Sequence, residues 1–179
     1  MAMFKAFDDK VEVNGETVLS VVDGSPMKGL ALDILAKNGI KDPQKGRWYS
    51  QQAWLNAFKV ISEQMGSNLL YSIGYKIPEN AKFPDSIDTI QKALGAIDIA
   101  YHMNHRNGEI GHYTFEPAGG QSGRMICENP YPCDFDKGII TAMARKFKPE
   151  GSFSVKVEHA QEGPCRKNGD NACVYIVSW

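Results

Sequence analysis

Residues 152–159, SFSVKVEH, and residues 173–179, CVYIVSW, decide the fold class. In the first run, Phe153, Val155, Val157 and His159 alternate with Ser154, Lys156 and Glu158, the period of two of a half-buried strand. In the second, Cys173, Tyr175, Val177 and Trp179 share one face while Val174 and Ile176 make the other apolar too, which suits a central strand. The chain therefore ends inside its sheet. Upstream, Tyr113 and Phe115 alternate with His112 and Thr114. The loop AGGQSGR (118–124) then leads to a further strand through Met125, Ile126 and Cys127. These runs predict an antiparallel sheet of about four to five strands.

Before the sheet the period changes to that of a helix. Trp54, Leu55, Phe58, Ile61, Met65 and Leu69 form one apolar stripe, with Ser50 placed to cap it. Ile87, Ile90, Leu94, Ile97 and Tyr101 form another, predicting a helix from near Asp85 to about residue 103. Pro78 is expected to keep helix out of the IPENAKFP loop. MKGLALDILAKNG (27–39) predicts a short helix closed by Gly39, and DFDKGIITAMARKF (134–147) another, with Asp134 and Asp136 at its start and Arg145 and Lys146 at its end. KVEVNGETVLSVVD (10–23) predicts a hairpin turning at Asn14-Gly15. The expected fold is a single α+β domain: an N-terminal hairpin (1–25), a helical part (27–105), and a sheet part with one helix and the cysteines (110–179).

Composition excludes several classes. The 179 residues suit one domain, and 20 Lys plus Arg against 21 Asp plus Glu leave a net charge of −1. No basic surface for nucleic acid is evident. A hydrophobic fraction of 42% and a mean hydropathy of −0.35 suit a folded soluble chain. The N-terminal MAMFKAFDDK lacks an apolar core, so neither a signal peptide nor a membrane anchor is read there, and a cytoplasmic location is expected. Dinucleotide, Walker and HExxH signatures are absent.

All four cysteines, Cys127, Cys133, Cys165 and Cys173, fall in the last third. Their x5 and x7 intervals are compatible with two metal-binding loops, with isolated buried thiols, or with a disulfide between Cys165 and Cys173, which a cytoplasmic chain would rarely keep. A catalytic cysteine would need His159 as its base. The other candidate region is YHMNHRNGEIGHYTFEP (101–117). There Tyr101, His105, Arg106 and His112, together with Trp54 and Phe58, are candidates to line an apolar ligand pocket. For His105 a hydrogen-bonded core position competes with that role, for Arg106 an ion pair with Glu109, and for the aromatic residues plain core packing.

From Pro132 onward, Cys133, Gly138, Glu162, Cys165, Gly169-Asp170 and Cys173 fall into a pattern that resembles the 4-vinyl reductase domain family. That family is similar to the aromatic-effector sensing domains of bacterial regulators. The resemblance implies a structural zinc held by Cys133, Glu162, Cys165 and Cys173, with Cys127 and His159 as rival ligands. It also implies a sensor or carrier of a small hydrophobic or aromatic molecule, paired as a homodimer and signalling to a separate output protein. Two alternatives accompany it. One is an enzyme acting on a tetrapyrrole or related hydrophobic substrate, with His105 or His112 as proton donor and Arg106 holding a carboxylate; the other is a non-catalytic assembly subunit.

Overall fold

The computed structural model describes residues 3–179. Its first element is the short strand β1 (Glu12–Asn14), after which the chain coils into α1 (Gly15–Val18) and α2 (Ser20–Asp23). The predicted hairpin does not form. Asn14 has extended backbone, and its side-chain oxygen accepts from the Thr17 N–H, so the residue expected to turn a hairpin caps a helix instead. Val18, Val21 and Val22 are buried as helix residues. β1 finds its partners elsewhere, pairing antiparallel with β2 (Trp48–Ser50) and β3 (His105–Arg106) in a three-stranded sheet.

α3 (Lys28–Lys37) is followed by Gly39 at positive φ, where the Ile40 N–H returns to the Leu35 carbonyl. α4 (Gln51–Met65) starts on the predicted Ser50 cap and stops at Gly66, also at positive φ. α5 (Ser67–Asn80) then continues through Pro78, contrary to expectation. The proline lies in the last turn, and the Ala81 N–H still closes on the Ile77 carbonyl. α6 (Ile90–Met103) begins five residues later than predicted because Thr89 supplies the cap, accepting from the Lys92 N–H.

β4 (His112–Pro117), β5 (Ser122–Glu128), α7 (Cys133–Lys146), β6 (Lys156–His159) and β7 (Cys173–Ser178) complete the chain. The second sheet is antiparallel in the order β4-β5-β7-β6, so β7 is central as its two apolar faces require. The first half of the predicted 152–159 strand stays outside the ladder: Phe153 is fully exposed, and pairing starts at Lys156. The α+β class stands, with a four-stranded and a three-stranded sheet in place of one.

One helix contact sets the interior spacing. α5 and α7 approach so closely at Gly74 and Gly138 that a Cβ on Gly74 would lie 2.0 Å from the Phe135 carbonyl oxygen. One on Gly138 would lie 2.2 Å from that of Tyr71. This brings Tyr131 and Phe135 against Trp54 and Phe58 of α4, with ring centroids 4.8–5.9 Å apart in tilted or edge-to-face geometry. Among the described residues no helix is long and apolar enough to cross a membrane.

Candidate functional site

Two constellations stand out: an interior cavity and a thiol cluster. The cavity lies between α1, α4, α6, α7 and β4 and is walled by Trp54, Ile97, Tyr101, Tyr113, Tyr131 and Phe135. Its cavity volume is about 30 Å³, and the empty space around it, part of it open to solvent, about 370 Å³. The half-buried Ala81 and Phe83, on the segment that joins α5 to α6, also line it. Asn104 pins that segment. Its side chain accepts from the Lys82 N–H at 2.9 Å and donates to the Lys82 carbonyl at 2.7 Å, while Asn14 donates to it at 2.6 Å.

His105 sits in the cavity wall with both ring nitrogens engaged. Nδ1 lies 2.8 Å from the Tyr101 carbonyl and Nε2 2.7 Å from the Tyr131 hydroxyl. The carbonyl can only accept, so Nδ1 carries the proton and Nε2 accepts from Tyr131. Gln51 Nε2 donates to the same hydroxyl at 2.9 Å. Burial lowers the His105 pKa from 6.5 to about 4, keeping the ring neutral. Two polar atoms of the wall remain unsatisfied: among the described residues, Trp54 Nε1 and Thr17 Oγ1 have no hydrogen-bond partner. Each such group costs about 1–3 kcal/mol unless something in the cavity meets it.

The state of His105 makes a pH prediction. The unfolded chain protonates this ring near pH 6.5 and the native one only near pH 4, so its contribution is whole above 6.5 and fades as pH falls between the two values. Asp136, raised by burial to about 6, slopes the opposite way over nearly the same range. The comparison with His105→Gln therefore isolates the histidine. The stability of wild type relative to the variant should drop by on the order of 3 kcal/mol from pH 6.5 to 4 in urea unfolding. A pH-independent difference would mean that the ring is charged in the native state.

Of the predicted pocket residues, Trp54, Tyr101 and His105 line the cavity, and Phe58 packs behind Trp54 in the core. Arg106 and His112 do not join them. Arg106 points outward, with Nε donating to Glu12 at 2.7 Å and the guanidinium stacked 4.3 Å over Trp48. Its ion-pair partner is thus Glu12 across the β1-β3 pair rather than Glu109. His112 is an exposed residue of β4. Thr17 and Asn104 carry no sequence signal: Thr17 reaches the cavity because its segment is helical, and Asn104 as the residue that ends α6.

At the start of α7, Cys133, Cys165 and Cys173 converge. The Cys133 and Cys173 sulfurs are 3.1 Å apart, and Cys165 is 3.9 Å from Cys133. All four cysteines are free thiols. The fourth group within 4.8 Å is His159, whereas Glu162 is exposed and outside the cluster. Cys127, fully buried in β5 opposite Cys173, is also outside it. The donor Cys133 S–H lowers the Cys173 pKa, and Arg166 assists, its backbone N–H at 3.4 Å and Nε at 3.3 Å from the sulfur. The same buried guanidinium bonds Asp136 and Asn129. Asp136 in turn accepts from the Tyr113 hydroxyl at 2.6 Å, and Tyr113 lines the cavity. A chain of charged hydrogen bonds thus joins the thiols to the cavity wall.

No family model matches the chain, and no curated protein matches it. Solved structures do. An H-NOX protein from S. oneidensis in the Fe(II) ligation state superposes with a TM-score of 0.69 over 92% of this chain and 95% of that one, at 13% identity. An oxygen-binding H-NOX domain related to soluble guanylate cyclases, solved as its oxygen complex, gives 0.59 over 92% and 91%, at 14% identity. A third, from work on haem redox potential and porphyrin distortion, gives 0.63 over 92% and 92%, at 15% identity. The chain has the H-NOX fold.

This fold assignment corrects the 4-vinyl reductase resemblance, which rested on spacings in the final third alone, whereas the H-NOX likeness spans nearly the whole chain. The zinc expectation falls with it. Its Glu162 ligand is absent from the cluster, the Cys173 sulfur is satisfied by Arg166 and Cys133, and the H-NOX structures the chain resembles are described with haem.

Proposed function

We propose that this chain is a sensor domain that holds a small, mainly apolar molecule in the cavity around His105. The observation that carries this reading is the wall itself: aromatic and aliphatic on nearly all sides, yet with the Trp54 N–H and the Thr17 hydroxyl unpaired. A compact ligand with one polar edge satisfies both requirements. The H-NOX fold lends support, since those proteins are described with an iron-bound state and with oxygen.

Haem itself does not fit these residues. Pockets for ligands of ordinary drug size hold roughly 300–1,000 Å³, and the cavity volume here is about 30 Å³, hemmed in by the Trp54, Tyr131 and Phe135 rings. Among the described residues, the cavity wall includes no Lys or Arg to meet a porphyrin's carboxylates. Both ring nitrogens of His105 are already engaged, Nδ1 by the Tyr101 carbonyl and Nε2 by the Tyr131 hydroxyl. The empty space of about 370 Å³, part of it open to solvent, suits a single aromatic ring. The signal would leave through α6 and the Tyr113–Asp136–Arg166 chain to a separate partner protein.

Phenol serves as the probe. In ¹H–¹⁵N spectra of the full chain, titration should move the Trp54 indole N–H signal saturably, and Phe83→Ala should speed entry and tighten binding by several-fold. Unmoved Trp54 and His105 signals at millimolar phenol in both proteins would reject the reading.

A further inference from the structure

Outside the cavity and the thiol cluster, one group of side chains has the composition of a metal site. Asp98 and His102, one turn apart on α6, face His112 at the start of β4, and one ligand atom from each lies within 4.8 Å of the other two. The Asp98 carboxylate is the hub. Its Oδ1 is 3.4 Å from His112 Nδ1 and 3.7 Å from His102 Nδ1, and the two imidazole rings are 5.1 Å apart.

The site is held from behind. Asp98 Oδ1 accepts the Tyr113 backbone N–H at 2.8 Å, and the His102 ring is held with Nδ1 2.9 Å from the Asp98 carbonyl oxygen. The three side chains occupy a shallow depression rimmed by Ile99 and Met103, 53% and 43% exposed, so apolar surface borders the ligand atoms on the solvent side. Both histidines are exposed, and a cation can reach them directly.

We propose that Asp98, His102 and His112 form a binding site for a late first-row divalent cation of the nickel or copper class. Two imidazoles and one carboxylate supply the nitrogen and oxygen donors such ions prefer, and three protein ligands leave further coordination positions to water. The ligands come from two elements, so a bound ion ties α6 to β4 beside Tyr101 and Tyr113, which lie on the cavity side of the same two elements. This inference stands apart from the cavity reading and does not need it.

Ni²⁺ is the probe, with binding measured by calorimetry on the full chain. Ring ¹⁵N signals of the four histidines identify the site, because the thiol cluster with His159 could also take up nickel. One equivalent of Ni²⁺ should broaden the His102 and His112 ring signals before those of His105 and His159. His102→Gln and His112→Gln should each weaken that event at least ~tenfold, since loss of a ligand costs no less than loss of a group supporting one. Cys165→Ser should leave it unchanged. Broadening confined to His159, or affinity unaffected by both glutamine variants, would overturn the proposal.

Discussion

Arg166→Met should cost about 3–5 kcal/mol of stability, read as a fall in the urea midpoint at constant slope. The Arg166 side chain is 1% exposed, and it is surrounded by anions and acceptors: the Asp136 carboxylate, Asn129 and the Cys173 sulfur. Methionine fills similar volume but leaves Asp136 buried without its cation, and burial already holds that carboxyl up at about 6 with Arg166 in place. Cys173 should respond as well. With the guanidinium gone its thiol reverts towards the protonated form, so thiolate absorbance near 240 nm should decrease. Adding Asp136→Asn to the variant should recover part of the loss, because the uncompensated charge goes with it. A midpoint unchanged by Arg166→Met would mean that the guanidinium contributes nothing net to the native state.

Gly138→Val is expected to cost at least ~3 kcal/mol, the upper end of what overpacking imposes. The obstacle is main chain. A Cβ at 138 would stand 2.2 Å from the Tyr71 carbonyl oxygen and 2.8 Å from the Tyr75 nitrogen, and neither can swing aside as a side chain can. The two helices must separate, which draws Tyr131 and Phe135 away from Trp54 and enlarges the cavity. Thermal unfolding should register the destabilisation, and near-ultraviolet circular dichroism the loss of the packed aromatic cluster. Gly95→Ala is the control, since open space faces that position on α6; it should be neutral or mildly stabilising. Equal behaviour of the two variants would show that the α5-α7 approach is not a constraint.

Much of the architecture could be read from local pattern. The Ser50 cap, the α7 charge order and the central place of β7 each follow from a period or an end effect acting within a few residues. The failures are equally physical. Asn14-Gly15 satisfies a hairpin turn and a helix cap alike, and the choice fell to packing: a Cβ on Gly15 would lie 1.9 Å from the Gln44 carbonyl, so a segment distant in sequence claims that place. For the site, the clustering of Cys133, Cys165 and Cys173 was legible because they flank the ends of α7 and β7. The family resemblance names Glu162 and keeps His159 as a rival, but a sequence pattern says nothing about direction, and β6 turns the histidine inward.

By itself the sequence determined an α+β chain with amphipathic helices ahead of an antiparallel sheet, because burial of one face imposes its period on every element. Only the tertiary structure decided the rest: that β1 pairs with β2 and β3, that His105 is spent on Tyr131, that a single buried arginine links the thiols to Asp136, and that Asp98, His102 and His112 meet. Each depends on contacts between groups separated by up to tens of residues. Such contacts leave no periodic trace in the chain, since their energy depends on distance and direction in space and not on spacing in sequence.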